Sequence, residues 1–224
     1  MNLYVISLGG SIIVPDDVDY DFLKKFKEIL FEFKKDKFVI VTGGGSVARK
    51  YIKALDQNKS SLQEIGLIGM TACNLNAKFL IAFLGLKQEL PKSINEIKYL
   101  LRKNNIVCTG TLEFKTNNTS DGEAALLASE LNCTFINLTN VNGLYTKDPK
   151  KFKDAKLISN ISYKEFDNLM DKIKFKPGQH FVLDQNASHI IMKHKLKTVL
   201  LNGKNVNNFK KFLQSKEFIG TIIS

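Results

Sequence analysis

The chain has 224 residues, 44% hydrophobic and 25% charged, which is ordinary for a soluble globular protein with one sizeable core. Its formal net charge of +11 is nearly all lysine, with Arg49 and Arg102 the only arginines, so it fits an anionic small substrate better than a nucleic-acid surface built on arginine forks. Cys73, Cys108 and Cys133 form no CxxC pair and no charged start leads into an apolar signal region, which argues against structural zinc and for a reducing, cytoplasmic setting.

The predicted elements alternate. "NLYVISL" reads as a strand, and "DDVDYDFLKKFKEILFEFKK" as a helix opening near Asp16 or Asp17 with Phe22, Phe26, Ile29, Leu30 and Phe33 on one face. "KFVIVT" is the next strand and "SVARKYIKALDQ" the next helix. A long helical pattern runs from about Leu67 to Leu84, too interrupted by Asn74, Asn76 and Lys78 to make a good membrane span. A short lysine-rich helix follows near residues 93–103, then the strand "NIVCTG", a polar loop, and the helix "DGEAALLASELN". "CTFINLT" is a fourth strand, "LDQNASHIIMKHK" a helix and "LKTVLLNG" a strand; between them "NVNGLYTKDPKKFKDAK" reads as loop. Apolar strands alternating with helices predict a mostly parallel sheet covered on both faces, in a single domain over residues 1–224.

In such a sheet the strand carboxyl ends share one edge, where loops form the ligand crevice. "GGS" at residues 9–11 and "GGGS" at 43–46 both lie between a strand and a helix. Glycines let an anion approach backbone amides, and a helix start adds free N–H groups and the positive end of its dipole. Taken singly, each motif is explained better by tight strand–helix packing. Neither matches GxxxxGK[ST] or GxGxxG. Two cradles in one chain, the second followed by Arg49, suit an enzyme that holds a donor and an acceptor phosphate against each other. "TSDGEAALLASE" puts Thr119, Ser120 and Asp121 at a helix start, where an ordinary N-cap is the plainer explanation. "LTNVNGLYTKDP" is turn-rich.

Together these pieces resemble the amino-acid kinase family, in its archaeal-type uridylate (UMP) kinase branch. The resemblance spans nearly the whole chain. It rests on "GGS" at 9–11, "VTGGGSVARKYI" at 41–52, "TSDGEAALLASEL" at 119–131, "TNVNGLYTKDPKKFKDAKLI" at 139–158, "KPGQHFVLDQNASHII" at 176–191 and "GTII" at 220–223. It implies an α/β/α three-layer sandwich with the acceptor side in about residues 1–130 and the ATP side in about 131–224. It also implies ATP and Mg²⁺, cytoplasmic residence and a homohexamer, with no nucleic-acid or membrane partner.

By the same resemblance, Gly9, Gly10, Ser11, Arg49 and Asp184 serve catalysis. Gly44, Gly66, Thr111, Thr119, Ser120 and Asp121 face UMP. Gly9, Gly10, Gly45, Arg49, Thr139, Asn140, Tyr145 and Asp148 face ATP. The chain departs from the family pattern at Ser7 (often lysine), at Gly66 with Glu64 nearby (aspartate), at Asn74 (arginine in "TRxNA") and at Asn142 (aspartate in "NVDG"). Lys176 is the candidate to replace the lysine missing at position 7, and His180, His189 and His194 have no catalytic role in this reading. Two alternatives stay open: a kinase of the same fold acting on another small acid or phosphate, and a non-catalytic ligand-binding protein on this scaffold.

Overall fold

The computed structural model describes residues 1–112, 119–149, 151–171 and 182–224. Lys176 and His180 lie outside the described residues. β1 (Leu3–Leu8) leads through the single turn α1 (Gly10–Ile13) to α2 (Tyr20–Glu32), then β2 (Lys37–Thr42), α3 (Gly45–Gln57), α4 (Leu62–Leu84) and α5 (Ile94–Lys103). β3 (Ile106–Thr109), α6 (Ser120–Glu130), β4 (Thr134–Thr139), β5 (Leu144–Tyr145), β6 (Leu157–Ile158), β7 (Asn160–Ile161) and α7 (Tyr163–Asp171) follow. The chain closes with α8 (Gln185–His194), β8 (Thr198–Asn202), α9 (Val206–Leu213) and β9 (Thr221–Ile223).

The main sheet has the order β3-β2-β1-β4-β8-β9-β7. All its pairings are parallel except β8 with β9, which is antiparallel. Strand periodicity sorts the side chains into two cores. Tyr4, Ile6 and Leu8 point into a layer with Phe26 of α2, Leu80 of α4 and Phe209 of α9. Val5, Val39 and Phe135 point into a layer with Ile97 of α5, Ala124 of α6, Phe166 of α7 and Ile191 of α8. The result is the expected three-layer α/β/α sandwich.

Some boundaries differ from the sequence reading for local reasons. The N-cap of α2 is Asp19, whose carboxylate accepts from Phe22 N–H, rather than Asp16 or Asp17. α4 begins five residues earlier than expected, at Leu62, because Ser61 and Glu64 form a reciprocal capping box. Gly66 is therefore inside a helix, and exposed Glu64 is engaged with Ser61. By length and composition α4 could cross a membrane, yet its second half, with buried Leu80, Ile81 and Leu84, packs into the first core. The expected loop after β4 contains the hairpin β5–β6, tied to β9 by Leu144 N–H donating to Thr221 Oγ1 at 2.8 Å.

Candidate functional site

Five strands end together. Leu8 is level with Thr42 and with Leu138, Val41 with Thr109, and Thr139 with Asn202. From β1 the chain first adds strands on one side and then, with β4 and β8, on the other, so the topological switch lies between β1 and β4. The loop at residues 9–11 leaves β1 at that switch, and the loop at 43–45 leaves the adjacent β2.

The two glycine loops touch. A Cβ on Gly10 would lie 2.6 Å from Gly45 Cα, and one on Gly43 would lie 2.9 Å from Gly10 N. Gly45 adopts the left-handed φ of +63°, which favours glycine sterically, and its own Cβ would meet the Gly10 backbone. The contact is pinned from outside: Gly43 N–H donates to Leu8 O at 3.0 Å, Asn76 Nδ2 donates to Gly43 O at 2.7 Å, and Ser46 Oγ donates to Val14 O at 2.9 Å. Among the described residues, the amides of Gly10, Ser11, Gly44 and Gly45 have no protein acceptor. Free amides at the start of the 13-residue helix α3 and beside a second loop are what a polyanion needs.

A carboxylate pair adjoins the loops. Asp121, at the start of α6, accepts from Ser7 Oγ at 2.6 Å and is also hydrogen-bonded by the Asn137 side chain. Ser7 and Asn137 are register partners on β1 and β4, and strand alternation turns both toward the α6 layer. Thr119 Oγ1 donates to Asp184 Oδ2, while Asp184 Oδ1 caps α8 by accepting from Ala187 N–H at 2.8 Å. Burial, and then the charge of Asp184, push the Asp121 carboxyl up to about 7, against the pull of its Ser7 and Asn137 bonds. Two carboxylates near each other, both half-buried and bonded by neutral side chains, suit a hard divalent cation; Mg²⁺ is usually bound through one or two carboxylates together with phosphate oxygens.

The structure thus brings together Gly9, Gly10, Gly43, Gly44, Gly45, Thr119, Ser120, Asp121 and Asp184. A Cβ on Gly43 would lie 3.4 Å from Ser120 Oγ, and Gly9 N–H donates to Leu138 O at 3.3 Å. Ser11 is half-buried in α1. Thr111 lies just past β3, its N–H donating to Asn74 Oδ1 at 3.0 Å. Arg49 is exposed, in the second turn of α3, and bonds to none of the described residues. Gly66 stands one turn before Gly69 in α4, and Gly69 O is 3.4 Å from where a Gly44 Cβ would lie.

On the other side, Thr139 ends β4 and Asn140 follows it, with Thr139 O accepting from Gly203 N–H at 2.8 Å. Tyr145 is half-buried in the hairpin. Asp148 is exposed, 3.9 Å from Lys151 Nζ, and its carbonyl accepts from Lys151 and Phe152. Asn142 Oδ1 accepts from Asn202 Nδ2 at 3.1 Å, which joins this turn to the end of β8. A separate groove of about 560 Å³, lined by Tyr4, Thr134, Lys197, Phe212 and Phe218, opens at the opposite, N-terminal edge of the sheet, away from the glycine loops.

Sequence reasoning passed over Asn137, Asn76 and Ser46. The signal for Asn137 was present: "VISL" and "FINL" carry their single polar residue at matching places in two apolar strands.

A model of the amino acid kinase family matches residues 2–202. The uridylate kinase of Thermoplasma volcanium is 36% identical over 98% of this chain and 96% of its own length. That of Methanococcus aeolicus is 32% identical over 98% of each. Among solved structures, uridylate kinase from Archaeoglobus fulgidus matches with a TM-score of 0.85 at 29% identity, covering 100% of both chains.

Proposed function

The chain belongs to the amino acid kinase family, and on that premise we propose that it is a uridylate kinase, moving the γ-phosphoryl group of ATP to the phosphate of UMP. The observation that carries the reading is the contact between the two glycine loops at the switch point, with free amides on both and a carboxylate pair beside them.

In this reading the amides at Gly10 and Ser11 face the moving phosphoryl group, and those at Gly44 and Gly45 hold phosphate at the head of α3. Arg49 folds back from the second turn of α3 as a fork. Thr111, Thr119, Ser120 and Gly66 shape the UMP side; Thr139, Asn140, Tyr145 and Asp148 shape the ATP side. Asp121 and Asp184 are the residues that would hold Mg²⁺, which neutralises phosphate charge when bound. Ser7 and Asn137 keep Asp121 in place. No general base is required, because a phosphate monoester is already largely a dianion at neutral pH. What the chain supplies is alignment of two phosphates, exclusion of water and fixed dipoles where charge builds.

The same reading takes the enzyme to be cytoplasmic and to act on free nucleotides rather than nucleic acid or membrane. It also makes the protein a homo-oligomer, a hexamer by family likeness. The outward face of α3 and α4 supports assembly: Leu62 is 78% exposed, Leu75 55% and Tyr51 61%, with Leu67 and Ile68 between them.

Asn74 favours a second reading, a kinase of the same fold with another small acid or phosphate as acceptor. It brings no charge to the acceptor side and spends its carbonyl on Thr111 N–H. One assay separates the two. Purified protein with ATP, Mg²⁺ and a panel of nucleoside monophosphates and small acids should make UDP from UMP fastest. UDP no higher than background rejects the first reading, and turnover of a different acceptor with UMP inert establishes the second.

A further inference from the structure

The first turns of α6 reach several parts of the site. Thr119 bonds Asp184, Ser120 lies against Gly43, and Asp121 bonds Ser7. Glu123 has no place in that account. It is only 6% exposed, in a helix whose neighbours Ala124, Ala125 and Leu127 are buried apolar residues. Carboxylates are rarely buried so fully unless a specific donor needs them. Here one donor is the backbone N–H of Leu112.

The preceding amide is held from another direction. Thr111 N–H donates to Asn74 Oδ1 at 3.0 Å, and a Cβ on Gly110 would lie 2.9 Å from both Asn74 N and Asn74 Cα. Two successive amides are therefore taken by side chains from two helices, α4 and α6. β3 has four residues and stands at the edge of the sheet, with β2 its only strand neighbour among the described residues. The Gln88 side chain bonds both backbone groups of Cys108 on the open edge, and beyond it, at 111 and 112, Asn74 and Glu123 take the amides.

We propose that Asn74 and Glu123 are positioning residues that fix residues 110–112 on the acceptor side and thereby set the affinity for the acceptor nucleotide without altering that for ATP. This rests on the acceptor assignment above, since Thr111 lies on that side. The separation from ATP follows from sheet order: β3 is three strands from β4, which leads into Asn140, Tyr145 and Asp148 on the ATP side.

The test is steady-state kinetics on the full chain, varying UMP at saturating ATP and then ATP at saturating UMP. Amide exchange is followed at Thr111 and Leu112. Asn74→Ala and Glu123→Ala should each raise KM for UMP by about tenfold, the loss of a part-buried hydrogen bond to the loop. KM for ATP should stay within about twofold in both variants. Glu123→Gln, whose amide oxygen still accepts from Leu112 N–H, should restore a near-normal KM for UMP. Asn74→Ala should speed exchange at Thr111, and Glu123→Ala at Leu112. Asn74 is half-buried, so its variant answers the question even if the Glu123→Ala protein does not fold. An unchanged KM for UMP, or an equal rise in both KM values, overturns the proposal. Should the wild type leave UMP untouched, the acceptor assignment itself fails; the exchange rates still show whether the two side chains hold the loop.

Discussion

Asp121→Asn separates folding from function in one side chain. Asp121 keeps its proton up to about pH 7 against an ordinary value of 3.8 because it is buried and faces Asp184. Moving the carboxyl from 3.8 to about 7 corresponds to about 4 kcal/mol against the ionised form. The sign follows from proton uptake. Between about pH 4 and 7 the folded chain holds this proton and the unfolded chain has lost it, so raising the pH through that window favours unfolding. Asparagine keeps an acceptor for Ser7 Oγ and an amide near Asn137, but cannot ionise. In metal-free, nucleotide-free buffer the variant should match the wild type near pH 4 and exceed it at pH 8 by about 2–4 kcal/mol, after allowing for relaxation. Urea midpoints at pH 4, 6 and 8 measure the difference, in which titrating groups away from the Asp121–Asp184 pair cancel. The same variant should lose about 100-fold or more in turnover if the carboxylate serves the phosphoryl group. A stability difference that does not change with pH, or a variant weaker than wild type at pH 8, refutes the reasoning.

Gly45→Ala should destabilise by at least about 1–2 kcal/mol from its left-handed φ alone, and more because the new methyl meets the Gly10 backbone. Its turnover should fall further than that of Gly85→Ala, also at positive φ (+73°) but with nothing within 4 Å. Arg49→Ala should leave the melting temperature within a degree or two while lowering kcat/KM strongly, and Arg49→Lys should rescue little, because a point charge does not replace a bidentate fork. Near-normal kinetics in both Arg49 variants would remove Arg49 from the site. Leu75→Glu, on the exposed face of α4, should break the assembly into smaller species by light scattering, whereas a monomeric wild type would remove the basis for that expectation.

Much of the fold was legible because its rules are local and periodic. Unbroken apolar runs announced buried parallel strands, and glycines at strand ends marked the rim. What escaped was set by single bonds or by long-range pairing. Asp19, rather than Asp16 or Asp17, starts α2 because its carboxylate reaches Phe22 N–H. The Ser61–Glu64 capping box starts α4 early and engages the acid nearest Gly66. β5 and β6 have two residues each, too short for a period, and depend on Thr221 from the far end of the chain.

The site shows the same division. The glycine loops, Thr119, Asp121 and Asp184 were visible as motif residues. Asn137 was not, because a polar residue inside a strand shows its purpose only when register sets it beside Ser7. Arg49 and Asp148 were visible too; both are exposed, Asp148 beside Lys151.

The central claim is that residues 9–11 and 43–45 form one continuous cradle for two phosphates, and its most direct test is a crystal structure with UMP and a non-hydrolysable ATP analogue. The account predicts the terminal phosphate of the analogue on the amides of Gly10 and Ser11, and the UMP phosphate within about 4 Å of it, in line for transfer. Phosphates bound at opposite edges of the sheet, or both kept away from the glycine loops, would contradict it.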